Sequence, residues 1–174
     1  MNNNIFLTLK RKLIKKVPLV FKTLIFFSLA YPHCQVPCGI YDDAARIIQI
    51  REDVITIRKS MLQIKKLSDT NNEAQNTNQL IRWVNTKEEH ARSIQNTISE
   101  YFLTQRLKYK NSDTADRQEY IEQVTLLHRL LISAMKCRQT LDINHCDTIL
   151  SQLDQFSNIY FDEHGLKHLN KISH

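Results

Sequence analysis

The chain has 174 residues, enough for one domain with its own core and too few to make two the natural reading. Two glycines and three prolines leave too few turn residues for an all-β fold, so the composition points to long helices. A formal charge of +6 invites a nucleic-acid partner, but six of the 24 basic residues and no acid fall in residues 1–32, leaving 18 basic against 18 acidic in the remainder. A formally neutral body has no electrostatic footprint for phosphate, which argues against nucleic-acid binding.

The amino-terminal surplus has its own pattern. Lys10, Arg11, Lys12, Lys15 and Lys16 form a cationic stretch, and Leu19–Ala30 follows as a short apolar segment broken by Lys22. This is the order of a secretory signal. The uninterrupted run from Thr23 to Tyr31 is less than half of the ~20 apolar residues that cross a bilayer, so a cleaved leader is expected rather than an uncleaved anchor. Ser28 and Ala30 are the small residues a signal peptidase reads, with the cut after Ala30. The product is expected to be exported, periplasmic or extracellular, with no stable membrane span in its mature form.

From Asp43 the apolar residues Ile47, Ile50, Val54, Ile57, Met61 and Ile64 alternate steps of three and four, the signature of a helix with one buried stripe. Polar Ser68-Asp69-Thr70-Asn71-Asn72 ends it, and a second periodic run follows at Leu80, Val84, Ala91, Ile94, Ile98, Tyr101 and Gln105. Asn111-Ser112-Asp113 marks a loop. A third run holds Tyr120, Val124, Leu127, Leu131 and Ala134, and a fourth Ile149, Leu153, Phe156 and Tyr160, with Gly165 suited to a C-terminal cap. The expected fold is all-α: an antiparallel up-down four-helix bundle over residues 42–165, with residues 166–174 a poorly ordered tail.

Ahead of the first helix, His33-Cys34-Gln35-Val36-Pro37-Cys38-Gly39-Ile40-Tyr41 concentrates three soft or borderline metal donors in six residues. Thiolates and imidazole suit late transition metals, so calcium and magnesium are poor candidates. Pro37 stiffens a turn and Gly39 permits positive φ, which lets the chain fold back and bring Cys34 and Cys38 to one ion.

This stretch resembles the opening of the mature nickel superoxide dismutases, His-Cys-x-x-Pro-Cys-Gly-x-Tyr. The resemblance implies a nickel hook at residues 33–41, a four-helix bundle, assembly as a homohexamer, and disproportionation of superoxide to dioxygen and hydrogen peroxide as the metal cycles between Ni(III) and Ni(II). It implies metal ligation by the terminal amine and imidazole of His33, the backbone amidate and thiolate of Cys34, and the thiolate of Cys38. Tyr41 resembles the family tyrosine beside the open face of the metal, and Tyr101, in Glu100-Tyr101-Phe102, looks like its partner; a core aromatic at heptad spacing is an equal reading of Tyr101. Residues 1–32 then form a leader whose removal is required. A terminal amine has a free lone pair once deprotonated, whereas an amide nitrogen inside a chain is a poor donor. Because cleavage directly after proline is awkward, the expected order is a signal-peptidase cut after Ala30, followed by removal of Tyr31-Pro32 by a second processing protease.

The sequence also departs from the family. The third hook position, commonly Asp, is Gln35, and the stretches where family members hold the imidazole with a Glu and an Arg read Ile47-Ile48-Gln49 and Glu89-His90-Ala91. Those two roles are not carried over; Glu88, Glu89, His90 and Arg92 are candidates to orient the ring. Cys137 and Cys146 flank the turn between helices three and four, as a disulfide or as buried thiols. A rival reading is an exported, non-enzymatic metal-binding or disulfide-stapled helical bundle. A dithiol oxidoreductase using Cys34 and Cys38 lacks the usual two-residue spacing and the expected sheet.

Overall fold

Asp42 starts the first helix by capping it: its backbone is extended and its side-chain Oδ1 accepts the Ala44 N–H at 2.9 Å. Helix α1 then runs Asp43–Ser68, with Lys65 and Lys66 in the last turn, where cations oppose the exposed carbonyls. The structure, a computed structural model, describes residues 42–69 and 73–173. The other helices are α2 (Ala74–Asn96), continued by a wider π-helical segment (Thr97–Arg106), then α3 (Arg117–Gln139), α4 (Asn144–Tyr160) and α5 (Glu163–Ile172).

Cross-helix bonds fix the topology. On α1 and α2, Asp53 meets His90 and Asp43 meets Tyr101; on α2 and α3, Lys87 meets the Cys137 carbonyl and Gln95 that of Leu131. On α3 and α4, Ser133 meets Gln152 and Gln123 the carbonyl of Ile159; on α1 and α4, Arg51 meets Asp154 and Arg58 meets Asp147. In every pair one number rises as the other falls, so the four neighbours are antiparallel and close an up-down-up-down bundle. All four stripes feed one core, in which Phe102, Phe156, Ile47, Ile50, Ile57, Met61, Ile94 and Leu153 are fully buried. Each such side chain contributes roughly 1.5–3 kcal/mol.

The α1 stripe is buried as its periodicity predicts, from Ile47 to Ile64. On α2 the expected inner residue Val84 is instead 37% exposed, and burial begins at Lys87 and Ala91. The reason is length: Lys87 already faces Cys137 and Arg138 at the end of α3, so earlier residues of α2 have no α3 opposite them. Lys87 is itself buried, and its ammonium donates to the carbonyls of Cys137 at 3.0 Å and of Arg138, capping α3 with a positive charge. On α3 the buried set is Leu126, Leu127, Leu130, Ser133, Ala134 and Cys137, a stripe broader than the expected one and shifted from Leu131 to Leu130, because α3 packs against both α2 and α4.

The chain end corrects the sequence expectation. Residues 163–172 form α5, not a poorly ordered tail, and Gly165 lies in its first turn rather than capping α4. Asp162 Oδ1 accepts the Gly165 N–H at 2.7 Å as N-cap, and a Cβ at Gly165 would stand 2.7 Å from Phe161 Cδ1, so the tight chain reversal needs the missing side chain. Leu169 on α5 is 2% exposed and joins the core beside α1. Among the described residues no helix is long and apolar enough to cross a membrane.

If α5 is an integral part of the fold, Leu169→Ala should lower unfolding stability by about 2–3 kcal/mol in urea titration. A loss below about 0.5 kcal/mol would make α5 an ornament.

Candidate metal centre and the carboxylate that anchors it

Four of the five residues assigned from sequence, His33, Cys34, Cys38 and Tyr41, lie outside the described residues. The described structure begins one residue after Tyr41, at Asp42, and two residues on, at Asp43, a dense polar network starts. Among the described residues no group of three His, Cys, Asp or Glu side chains is placed to hold a metal ion.

Asp43 is the hub. Its Oδ1 accepts from the Tyr101 hydroxyl, and its Oδ2 accepts from the Tyr160 hydroxyl at 2.7 Å and from Arg106 Nη2 at 2.6 Å and Nε at 3.1 Å. The carboxylate is only 14% exposed, so it is compensated by one guanidinium and two phenols rather than by water. Tyr101 takes the place of a core aromatic, one of the two readings from sequence: its ring is buried edge-on against Phe102 at 5.2 Å, and its hydroxyl donates to Asp43. Arg46 and Arg106 lie over the same ring at 5.6 and 5.9 Å from its centroid.

The π-helical segment makes this convergence possible. In an α-helix Tyr101 and Arg106, five residues apart, would be splayed by about 140° around the axis. Over Thr97–Arg106 the backbone bonds i to i+5, closing with the Leu107 N–H on the Phe102 carbonyl at 2.9 Å. The wider turn brings both side chains to the face that looks at Asp43.

Burial first, and then the bond to Asp43, push the Tyr101 phenol far above its usual value; the same causes push Tyr160 up to about 12. Its bonds to Asp43 hold the Arg106 guanidinium above its ordinary value. Both phenols are therefore neutral donors throughout the physiological range. A second contact ties α5 to the same end of α1: His168 Nε2 lies 2.5 Å from Asp42 Oδ2, and this bond, with the capping N–H groups, holds the Asp42 carboxyl below its usual range. From sequence, Asp43 stands only as a helix start and Tyr160 only in a stripe; the adjacent acids Asp42-Asp43 at a helix N-terminus are the one available signal.

Of the four residues weighed as supports for the His33 ring, Glu88 and His90 have partners within the bundle. Glu88 binds Arg138 Nε at 2.9 Å and Lys87 at 2.9 Å; burial pushes its carboxyl up, and these partners outweigh that and hold it low. His90 Nδ1 lies 2.6 Å from Asp53 Oδ1, while the buried Asp53 Oδ2 has no hydrogen-bond partner.

The Tyr160 shift has a signed consequence. Its folded pKa lies above the value of 10.0 for a free phenol, so its contribution is whole below pH 10 and is lost as pH rises toward 12. Unfolding stability should decline across that window, and the decline should be shallower in Tyr160→Phe; identical slopes would place the alkaline transition elsewhere. Asp43→Asn, which leaves Arg106 without its anionic partner, should cost about 2 kcal/mol at neutral pH by the same titration.

Comparison with known proteins bears on the segment ahead of this network. No curated protein and no solved structure matches the chain. The profile of the nickel-containing superoxide dismutase family matches residues 28–164, a span that holds the His33–Tyr41 stretch and all four bundle helices. With most of its length covered by that match, the chain belongs to the nickel-containing superoxide dismutase family; it is an oxidoreductase whose cofactor is nickel.

Proposed function

We propose that the protein disproportionates superoxide at a nickel ion held by His33, Cys34 and Cys38, after proteolysis has made His33 the amino terminus. The observation that carries this is the family match, whose span, residues 28–164, includes the positions of those three residues. Their chemistry would fit the metal: two thiolates, an amine, an amidate nitrogen and an imidazole form a donor set that would suit nickel in both its divalent and trivalent states. Bound nickel supplies a one-electron Ni(III)/Ni(II) couple that superoxide can reduce in one half-cycle and reoxidise in the other.

The chain's own residues do the rest. Anionic sulfur from Cys34 and Cys38 favours the higher oxidation state, and liberation of the His33 amine supplies a donor that an internal amide cannot. Tyr41 orders water and screens anions at the open face, while Tyr101 supports it indirectly through Asp43, two residues along the chain. Held as neutral phenols, Tyr101 and Tyr160 keep donating to Asp43 through the physiological range, which steadies the first turn of α1. Assembly as a homohexamer and export to the periplasm or outside belong to the same proposal. Exposed Ile55, Leu62, Ile81 and Met135 offer apolar area for subunit contacts.

Nickel-loaded mature chain should remove superoxide catalytically, and Cys34→Ser or Cys38→Ser should each cut the rate at least about 100-fold while the helical circular dichroism is unchanged. Intact mass should place the mature terminus at His33. Full activity from chain that retains residues 1–32, or surviving in either serine variant, would overturn the ligand set.

A further inference from the structure

Two cysteines outside the hook remain to be explained. Cys137 closes the last turn of α3 and Cys146 sits in the first turn of α4; both are free and wholly buried in the common core. The antiparallel register that pairs Ser133 with Gln152 and Gln123 with Ile159 sets Cys137 opposite Cys146, and each thiol acts on the other. The surroundings are electropositive and asymmetric. Arg58, paired with Asp147 at 2.5 Å, stands beside Cys146, and the Lys87 ammonium is fixed 3.0 Å from the Cys137 carbonyl. Cys146 also occupies the amino-terminal turn of α4, where the helix dipole favours negative charge.

We propose that Cys137 and Cys146 form a reversible two-electron redox site that closes to a disulfide on contact with hydrogen peroxide, with Cys146 as the attacking sulfur and Cys137 as the resolving one. Deprotonated Cys146 attacks one peroxide oxygen; the O–O bond breaks, hydroxide leaves and takes up the proton that Cys146 lost, and the sulfur becomes a sulfenic acid. Cys137 then attacks that sulfur as its own proton departs; the S–S bond forms, the S–O bond breaks and a second water leaves. Two thiols and one peroxide give one disulfide and two waters. Helix position sets the order: Cys146 lies in the first turn of α4, where the dipole favours a thiolate, and Cys137 in the last turn of α3, where it opposes one; the pair's mutual interaction acts in the same sense, raising the Cys137 thiol and lowering that of Cys146. Burial sets the rate, because peroxide reaches the pair only when the α3–α4 hairpin opens. That the protein makes its own oxidant rests on the dismutase reading; the chemistry of the pair does not.

The test therefore uses added hydrogen peroxide on the purified, reduced full-length chain, followed by alkylation, proteolysis and mass spectrometry. The expected product is a Cys137 peptide joined to a Cys146 peptide, reversed by dithiothreitol, with a rise in thermal midpoint of roughly 5 °C or more while the bond is closed. Cys137→Ser should stall at a sulfenic acid on Cys146 that dimedone captures, whereas Cys146→Ser should leave Cys137 alkylatable. Recovery of both residues as thiols, capture of sulfenic acid on Cys137 instead, or cross-linking of either to Cys34 or Cys38 would overturn the proposal. A chain with no dismutase activity that still yields the joined peptides would separate this site from the proposed function.

Discussion

A single carboxylate organises the end of the bundle to which the hook sequence is joined. Asp43 draws Tyr101 and Arg106 from the end of α2 and Tyr160 from the end of α4 onto the first turn of α1. A mostly buried charge is costly unless its lone pairs are filled, and here donors from three directions fill them. The cost of leaving any one unmade is what gives the arrangement its specificity: α1, α2 and α4 cannot slide relative to one another without exposing a charge to apolar surroundings. Phe102 continues the linkage into the core, edge-on to both Phe156 and Tyr160 at 5.3 and 5.6 Å. The polar hub and the aromatic cluster are thus one unit, rigid on one side and charged on the other.

This placement matters because the donor segment is weakly folding by composition. Residues 33–41 carry Val36 and Ile40 as their only aliphatic side chains, so they bury too little apolar area to order themselves. Whatever fixes them must come from the metal, from neighbouring subunits or from the bundle. The bundle's contribution starts at Asp42 and Asp43, which are bound from α5, α2 and α4 at once. Departure from α-helical geometry at Thr97–Arg106 is the local cost of that arrangement, since π-type bonding is the less favourable backbone state and persists where side chains over-determine it.

How much of this was readable in advance depended on whether the information was local. The α1 stripe, Ile47 to Ile64, needed nothing beyond periodicity, and the family was legible in the short stretch from His33 to Tyr41. Val84 was misplaced because its exposure depends on where α3 stops, and α3 is 33 residues further along the chain. Leu130 displaced Leu131 because a helix between two neighbours buries a broader face than one periodic run describes. The π-helical turn and the Asp43 hub were invisible for a stronger reason: they exist only through the meeting of three helices, and no residue in them has an unusual sequence context. The chain end was misread although Leu166, Leu169 and Ile172 recur every three residues along one face: ten residues are too few to hold a helix alone, and what secures α5 is the docking of Leu169 and Ile172 on the core.

The same contrast between local and collective information separates the two sulfur pairs. Cys34 and Cys38 are close in sequence, in a segment rich in donors and poor in apolar area, which suits thiolates that must reach a metal and a small anionic substrate. Cys137 and Cys146 are brought together by the α3–α4 hairpin and sealed in the core, where a thiol is shielded from metals and oxidants alike. Burial keeps this pair out of reach of a metal ion, and it ties any oxidation of the pair to opening of the hairpin itself. The bundle therefore bears on the sulfur chemistry directly: by sealing these two cysteines it removes them from the set of sulfurs that could serve as ligands.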